Sequence, residues 1–184
     1  MDKIIKADLY RHGGLDGTKG FLKGLLIPDF KYMYLLRKAS QHKKYSFFGL
    51  FYRFFLRKYG YRYGFQIPVE TQIGEGFYIG HFGPIVINAE TKIGKNCNIT
   101  HGVTIGKTFR GKLKGTPILG DNIWIGTGSV IVGNIKIGSN VMIAPNSFVN
   151  IDIPSNSLVL GNPAKIIIKE NPTQGYINYM LLTK

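Results

Sequence analysis

The sequence predicts a mainly β protein: a parallel β-solenoid that follows a short helical region and is interrupted by one extended loop. Three observations lead to this fold class: an aliphatic residue that returns every six positions, small residues at a second fixed position, and Gly or Asn at a third. A period of six is neither the 3.6 of an amphipathic helix nor the 2 of an alternating strand. Short strands joined by tight corners at a fixed period are typical of a solenoid with stacked inward side chains.

The aliphatic repeat begins at residue 67 and supplies the predicted core. It shifts by two residues after Ile85 and is interrupted once before its last run. All fourteen repeat positions are Ile, Leu or Val, namely Ile67, Ile73, Ile79, Ile85, Ile87, Ile93, Ile99, Ile105, Leu119, Ile125, Ile131, Ile137, Ile143 and Val149.

Two further positions predict inward packing and the corners. Four residues after an aliphatic position stand small or β-branched residues: Thr71, Thr91, Cys97, Val103, Ser129, Val141 and Ser147. Asn stands at one fixed place, at residues 96, 122 and 140, and Gly and Asn tolerate the left-handed backbone that a tight corner needs. The single cysteine, Cys97, is therefore a predicted packing residue, and neither an intrachain disulfide nor a cysteine metal site is expected.

Basic and aromatic residues are concentrated in the first third of the chain. Residues 1–65 hold 14 basic and 4 acidic side chains and 16 of the 24 aromatic ones. We interpret 1–65 as a helical region, with one helix over the aromatic run at 47–58, another from Pro28 to Lys38, and breaks at Gly13-Gly14 and Gly17. Residues 66–168 form the predicted solenoid, and 169–184 are a tail without a predicted position. The helices pack on the solenoid or a neighbouring subunit, or they present a basic aromatic surface to an anionic membrane.

The sequence contains no pattern typical of a secretory signal or a membrane span. Its most apolar window, residues 45–56, is 12 residues long and includes Arg53, whereas a spanning helix needs about 20 apolar residues. A lone cysteine fits a reducing compartment. We expect a cytoplasmic protein, and the inner face of the membrane is where a peripheral contact would lie.

The six-residue pattern resembles that of the left-handed parallel β-helix acyltransferases. The stretches 79–88, 99–106 and 119–126 carry this resemblance, and Gly161-Asn162-Pro163-Ala164-Lys165 closes the array. Within that family the chain is similar to serine acetyltransferase, and most similar to relatives that O-acetylate bacterial surface polysaccharides. The resemblance covers about residues 60–168. It implies left-handed coils of hexapeptide repeats, a homotrimer with active sites between subunits, and acetyl-CoA as co-substrate.

Two histidines, His81 and His101, lie in the predicted solenoid. A triangular coil of three rungs takes about 18 residues, and the two-residue shift makes 20, which is the separation of the two histidines. They are therefore predicted at one corner of adjacent coils, about 4.8 Å apart. Imidazole is a natural base near neutral pH. The resemblance implies that His81 is the general base, and we predict that His101 orients it or contacts a substrate; the alternative is a coincidental surface pair.

The interruption of the repeat, residues 107–117, is predicted to be a mobile basic flap whose cations suit the phosphates of acetyl-CoA; the alternative is a solvated loop. Lys107 and Arg110 are the flap cations predicted to bind these phosphates. The resemblance implies a pantetheine groove lined by Gly106, Thr108, Gly126, Thr127, Ala144 and Asn146, with Lys165 near the nucleotide end. Predicted acceptor-binding or supporting residues are Glu70, Gly83, Asn88 and Thr116. We expect direct attack in a ternary complex, without an acyl-enzyme.

Three positions depart from the serine acetyltransferase pattern. Gly80 stands where that enzyme has Asp, Thr116 where it has a second active-site His, and Gln66 where it has the Asp that orients the catalytic histidine. Because serine carries an ammonium and a carboxylate, this loss of charge predicts a sugar hydroxyl as acceptor. The expected activity is acetyl transfer to surface polysaccharide such as capsule, exopolysaccharide or O-antigen. The alternative is the serine O-acetyltransferase of cysteine biosynthesis.

Two other classes of function fit the sequence less well. A metal-dependent β-helix hydratase needs three histidine ligands, and only two histidines lie in the coils, so we expect no metal. A non-enzymatic binder of nucleic acid or of a membrane surface would fit the net charge of +14. No nucleic-acid motif accompanies that charge, so we expect no nucleic-acid partner.

Overall fold

The computed structural model describes residues 2–181, over which four helices precede fifteen short strands. The helices are α1 (Lys3–Tyr10), α2 (Gly17–Gly24), α3 (Pro28–Gln41) and α4 (Phe47–Tyr63). The strands follow in three sheets, one for each face of a prism.

Each of the first four turns of the chain adds one strand to sheet A, then one to sheet B, then one to sheet C, and the fifth adds strands to sheets A and C only. Sheet A contains β1 (Phe65–Gln66), β4 (Ile85–Ile87), β7 (Thr104–Gly106), β10 (Val130–Val132) and β13 (Phe148–Val149). Sheet B contains β2 (Gln72–Ile73), β5 (Lys92–Ile93), β8 (Ile118–Leu119) and β11 (Lys136–Ile137). Sheet C contains β3 (Tyr78–Ile79), β6 (Asn98–Ile99), β9 (Ile123–Ile125), β12 (Val141–Ile143), β14 (Ser157–Leu160) and β15 (Lys165–Ile168).

Successive coils stack in parallel register, and this confirms the predicted fold: a mainly β, left-handed parallel β-helix. In sheet C, for example, Ile79 pairs with Ile99 and Ile99 pairs with Ile125. The exception is β15, which runs antiparallel to β14 and pairs Lys165 with Leu160 at the last coil.

The six-residue repeat forms the core. Of the fourteen aliphatic positions, thirteen are buried, and Ile73 is partly buried against the same cluster. The small-residue positions are buried as well, including Cys97 and Thr91. Burying one such aliphatic side chain contributes about 1.5–3 kcal/mol. The repeat is therefore both the fold signal and the main source of stability.

Asparagine builds the corner between sheets B and C. Asn96, Asn122, Asn140 and Asn156 have φ values of 53°, 55°, 55° and 58°. This left-handed conformation is costly for most side chains and accessible to Asn. The Asn corners predicted at residues 96, 122 and 140 are thus present, and a fourth follows them.

The N-terminal helices are fastened to the first coils by two buried arginines. Arg37 of α3 pairs with Asp8 of α1 at 2.9 Å and donates hydrogen bonds to the carbonyls of Ile73 and Gly74. Arg11 donates to the carbonyl of Gly76 at 2.8 Å and to a side-chain oxygen of Asn98 at 2.6 Å. Helices α1 and α3 therefore pack on the solenoid, one of the two arrangements that the sequence left open.

Helix α2 was not predicted. Gly17, which we interpreted as a break, has a φ of 66° and begins this helix. Gly24 is buried in it, and a Cβ there would lie 2.5 Å from Leu9 Cδ1 and 2.8 Å from Phe30 Cδ1. The glycines permit close packing against α1 and α3, so tertiary contacts outweigh poor helix propensity.

The C-terminal segment, for which no position was predicted, packs along sheet C. Thr173 Oγ1 donates to Asn140 Oδ1 at 2.7 Å, and Asn98 Nδ2 donates to the carbonyl of Tyr176 at 3.0 Å. The Tyr176 ring lies 4.9 Å from the ring of Trp124. The last three residues of the predicted tail, 182–184, lie outside the described range.

Candidate active site

His81 and His101 lie side by side on the corner between sheets C and A. Their ring centroids are 5.7 Å apart and the rings meet edge to face at 75°. Each histidine lies two residues after the end of its strand. Because Ile79 of β3 pairs with Ile99 of β6, the two histidines occupy the same position on adjacent coils. Both side chains are exposed. The juxtaposition predicted from the 20-residue spacing is confirmed.

The end of α4 holds the corner that carries His81. The amide of Gly83 donates to the carbonyl of Tyr63 at 2.8 Å, and the amide of Ile85 donates to the carbonyl of Gly64 at 2.9 Å. Gly83 has a φ of 141°, and a Cβ there would lie 3.0 Å from His101 Cβ. Gly83 is a predicted supporting residue. Because it has no side chain, the corner that carries His81 can lie close to His101.

A column of small residues continues from the histidine pair along the same edge. Gly80, Thr100, Gly126 and Ala144 each donate a backbone hydrogen bond to the next coil, at 2.8, 3.2, 2.8 and 2.8 Å. At Gly126 a Cβ would lie 2.5 Å from the nitrogen of Pro145, so only glycine fits there.

The next residues of this edge are also predicted cofactor contacts. Thr127 Oγ1 lies 3.2 Å from Thr100 Oγ1, and the amide of Asn146 donates to the carbonyl of Thr127 at 2.8 Å. The structure thus places Gly126, Thr127, Ala144 and Asn146 on the edge of the two histidines. We call this corner the histidine edge.

The other predicted residues lie mainly on the corner between sheets A and B. Asn88 follows β4 there, and Gly106 ends β7 just before the interruption of the repeat. Lys107 Nζ contacts Glu90 Oε1 and Oε2 at 2.6 and 2.8 Å, and Thr116 Oγ1 donates to the Glu90 carbonyl at 3.2 Å. The charge of Lys107, predicted for a phosphate, is therefore already paired. We call this corner the loop edge.

Residues 107–117 form an anchored hairpin and not the free flap that we predicted. Thr108 and Gly115 exchange two backbone hydrogen bonds, both of 2.9 Å. The amide of Asn134 on the next coil donates to the carbonyl of Leu113 at 2.9 Å. Gly111, with a φ of 70°, makes the turn possible. Composition indicated flexibility here, but backbone pairing across the glycines fixes the loop.

Three predicted residues lie apart from the histidine pair. Arg110 is exposed near the tip of the hairpin. Glu70 lies on the loop edge of the first coil, 3.7 Å from Arg53 of α4. Lys165 begins β15, directly after the turn at which the carbonyl of Gly161 accepts from the amide of Phe148. Within one chain, sheet A separates the histidine edge from the loop edge, so the two predicted groups do not converge.

A cleft of about 650 Å³ lies between α4 and sheet A. Its walls include Leu56, Gln66, Val86, Asn88 and Gly106. It adjoins the loop edge, and neither histidine lines it. The reactive pair is thus on an open edge of a single chain.

Two buried titratable side chains, those of His12 and Asp29, were not predicted from the sequence. His12 Nε2 lies 3.5 Å from Asp29 Oδ2 beneath the ring of Tyr78. Burial lowers the pKa of His12 to about 4, with Arg11 as a second cause, and burial raises the pKa of Asp29 to about 7. No motif marks two residues that meet only through the packing of α3 on the segment after α1.

Comparison with known proteins gives one consistent result. Residues 116–150 match the family described as bacterial transferase hexapeptide (six repeats). Serine acetyltransferase of Staphylococcus epidermidis is 43% identical over 107 residues, which are 58% of this chain and 50% of that protein.

Two solved structures extend the likeness to most of the chain. The soybean serine acetyltransferase apoenzyme has a TM-score of 0.74 and 30% identity, over 89% of this chain and 67% of that one. Serine acetyltransferase of Brucella abortus in complex with coenzyme A has a TM-score of 0.73 and 25% identity, over 90% and 67%. The chain spans 30% of the length of serine acetyltransferase 4 of Arabidopsis thaliana and 63% of that of the Helicobacter pylori enzyme.

These relatives overturn the predicted sugar acceptor, because they are serine acetyltransferases and not polysaccharide-modifying enzymes. The prediction counted charges at Gln66, Gly80 and Thr116 only. It left out other charged groups near the loop edge, such as the exposed Glu70 and Arg110. The chain belongs to the hexapeptide-repeat transferase family and, within it, resembles the serine acetyltransferases.

Proposed function

We propose that this protein transfers the acetyl group of acetyl-CoA to the hydroxyl of L-serine. The observation that carries the proposal is the exposed His81–His101 pair, with ring centroids 5.7 Å apart, at one end of an edge built from small residues. The likeness to serine acetyltransferases supports both substrates. Because Gly80, Thr100 and Gly126 have small side chains or none, an extended thioester arm could lie along the edge beside the imidazoles.

In the proposed reaction His81 is the general base. Its imidazole takes the proton of the serine hydroxyl while the oxygen attacks the carbonyl carbon of the thioester. The carbon–sulfur bond then breaks, and the imidazolium returns the proton to the departing thiolate of CoA. A positioned histidine contributes about 10²–10⁴-fold to such a step. His101 lies edge-on to His81 and is the positioning residue for it.

Transfer is direct, without an acyl-enzyme on cysteine. Cys97 is fully buried, and burial raises the pKa of its thiol to about 12. Its sulfur contacts the carbonyls of Lys95 and Gly120 inside the prism. A buried thiol in the protonated form is a poor nucleophile and is out of reach of a thioester on the edge.

The complete site forms between copies of the chain in this proposal. The histidine edge and the loop edge flank sheet A on one protomer, and a homotrimer would place the histidine edge of one copy beside the loop edge of the next. Asn88, Gly106 and Arg110 would then face the donor and acceptor. Part of the same proposal is a cytoplasmic location, which a lone reduced cysteine fits.

The proposal is tested by measuring CoA release with a thiol-reactive dye and O-acetylserine by mass spectrometry. We expect both products in equal amounts, and only when acetyl-CoA and L-serine are present together. D-serine and L-alanine are the matched controls, because the first reverses the stereocentre and the second lacks the hydroxyl. CoA release that does not depend on L-serine would refute the proposed acceptor.

A further inference from the structure

Helix α4 presents a large apolar surface to solvent. The exposed apolar side chains in its first half are Phe47, Phe48, Leu50, Phe51 and Phe54, and Tyr45 in the loop just before the helix is exposed as well. We call these six residues the α4 face. Phe47 is 79% exposed and Phe54 65%. Single exposed apolar residues are ordinary, but a contiguous group of this kind marks an interaction surface.

The α4 face is not a part of the hydrophobic core that was left uncovered. Residues 47, 50, 51 and 54 recur at helical spacing and so share one side of the helix. Another side of α4 buries Leu56 in the main core and Gly60 against Tyr32 of α3 and Phe65. The helix is therefore apolar on its outward side in addition to its packed side.

The charge around this face is mainly positive, although Glu70 lies 3.7 Å from Arg53 of α4. Residues 30–69 contain nine Lys and Arg and no Asp or Glu. Lys43, Lys44, Arg57 and Lys58 are exposed on α4 and the loop before it. Lys44 Nζ lies 5.3 Å from the centroid of the Tyr45 ring. A second copy of the same face would bring like charges together, whereas an anionic partner would be attracted.

We propose that α4 docks on the surface of an anionic phospholipid bilayer. Its aromatic side would lie at the boundary between headgroups and acyl chains, and the flanking cations would meet lipid phosphates. Phe and Tyr with adjacent Lys and Arg are typical of helices that lie in this interface. Within residues 2–181 no helix combines the length and apolarity needed to cross a membrane, so the contact is peripheral.

The docked helix is also connected directly to the histidine edge. The carbonyls of Tyr63 and Gly64 at the end of α4 accept from the corner that carries His81. Ten residues separate Phe54 from Gly64, which is about 15 Å along a helix axis. Because the docked helix lies in the plane of the interface, this distance runs along the membrane surface, and the histidine edge lies beside the docked aromatic side chains and not among them.

Cosedimentation with vesicles of phosphatidylcholine, with and without phosphatidylglycerol, tests the proposal on the full chain. We expect binding that requires phosphatidylglycerol and weakens as salt rises, because surface charge is screened. The variants Lys43→Glu/Lys44→Glu and Phe51→Ser/Phe54→Ser should each bind at least about tenfold more weakly. The matched controls Lys92→Glu/Lys136→Glu and Ile167→Ser/Ile168→Ser change exposed residues of sheets B and C and should bind like wild type.

A second readout places a reporter in the face itself. Trp124 is the single tryptophan, so Phe54→Trp in a Trp124→Phe background gives a unique fluorophore. Its emission should shift to the blue on anionic vesicles and be quenched by brominated lipid. The proposal fails if wild type ignores phosphatidylglycerol, if the Phe51→Ser/Phe54→Ser variant binds as well as wild type, or if nucleic acid and not lipid is bound. It fails too if that variant forms a smaller assembly, since the face would then join copies of the chain.

Discussion

At the residue scale, Gly80 controls the space next to His81. Its φ is not positive, and a Cβ there would meet Thr100 Cγ2 at 3.5 Å, an ordinary contact. An acidic side chain therefore fits at position 80 without moving the backbone. The charge, rather than the volume, is what this position lacks.

We predict that Gly80→Asp lowers the KM for L-serine by at least about fivefold, because a carboxylate about 4 Å from the ammonium contributes about 1 kcal/mol even in water. The measurement is steady-state kinetics at saturating acetyl-CoA. Gly80→Asn, which has the same shape without the charge, is the control. Equal KM values for the Asp and Asn variants would contradict this account of acceptor binding.

The thiol of Cys97 is predicted to be unreactive in the native protein. Since burial raises its pKa to about 12, the native protein should react with a thiol-specific dye at least 10²-fold more slowly than the protein in denaturant. The dye's absorbance under both conditions gives the two rates. Activity should survive incubation with the dye. Rapid labelling of the native protein, or inactivation by it, would reopen a covalent route through Cys97.

The histidine pair was predictable from sequence because a fixed period converts spacing into position. His81 and His101 needed no contact information beyond the repeat. The pairing of Lys107 with Glu90 was not predictable, since it depends on how a hairpin folds back over a corner. Periodicity determines which coil and corner a residue occupies, but not the partner of its side chain.

At the element scale, the solenoid was predicted more completely than the helices before it. Each strand repeats the same apolar positions, and pairing with the next coil reinforces them. Helix α2 has no repeated apolar pattern of this kind. Its glycines predicted a break, yet in the structure they allow the helix to pack closely. Helix α3 runs to Gln41, beyond the predicted Lys38.

The pair formed by His12 and Asp29 predicts an altered pH dependence when one partner is removed. In wild type the pair binds one proton between about pH 4 and pH 7 when folded, close to its behaviour when unfolded. Asp29→Asn leaves His12, whose folded pKa of about 4 lies below the unfolded 6.5. The unfolded state then binds more protons between these values, so stability falls as the pH falls from 6.5 to 4.

The expected loss for Asp29→Asn is about 3 kcal/mol across that range, from a pKa difference of about 2.5. Denaturant unfolding at several pH values between 4 and 7 measures it. Wild type should change much less over the same range. A variant as insensitive to pH as wild type would show that His12 does not stay neutral in the folded chain.

At the scale of the whole molecule, a site shared between subunits can be tested by mixing two inactive variants. His81→Asn damages the histidine edge, and Gly106→Trp obstructs the loop edge. In random mixed trimers about a quarter of the interfaces combine an intact histidine edge with an intact loop edge.

Co-refolding the two variants in equal amounts should therefore restore about a quarter of wild-type activity. Each variant refolded alone is the control and should stay inactive. The readout is CoA release per chain. If the mixture is no more active than its components, the site lies within one protomer, and the proposed assembly is wrong.

The central claim is that His81 removes the acceptor proton on an edge that it shares with His101. The most direct measurement is kcat for His81→Asn beside its affinity for acetyl-CoA, with His42→Asn as control because His42 stacks on Tyr52 within the helical region. We predict a loss in kcat of at least about 10²-fold for His81→Asn with unchanged acetyl-CoA affinity, and no loss for the control. A His81→Asn enzyme that turns over within about threefold of wild type would contradict the claim.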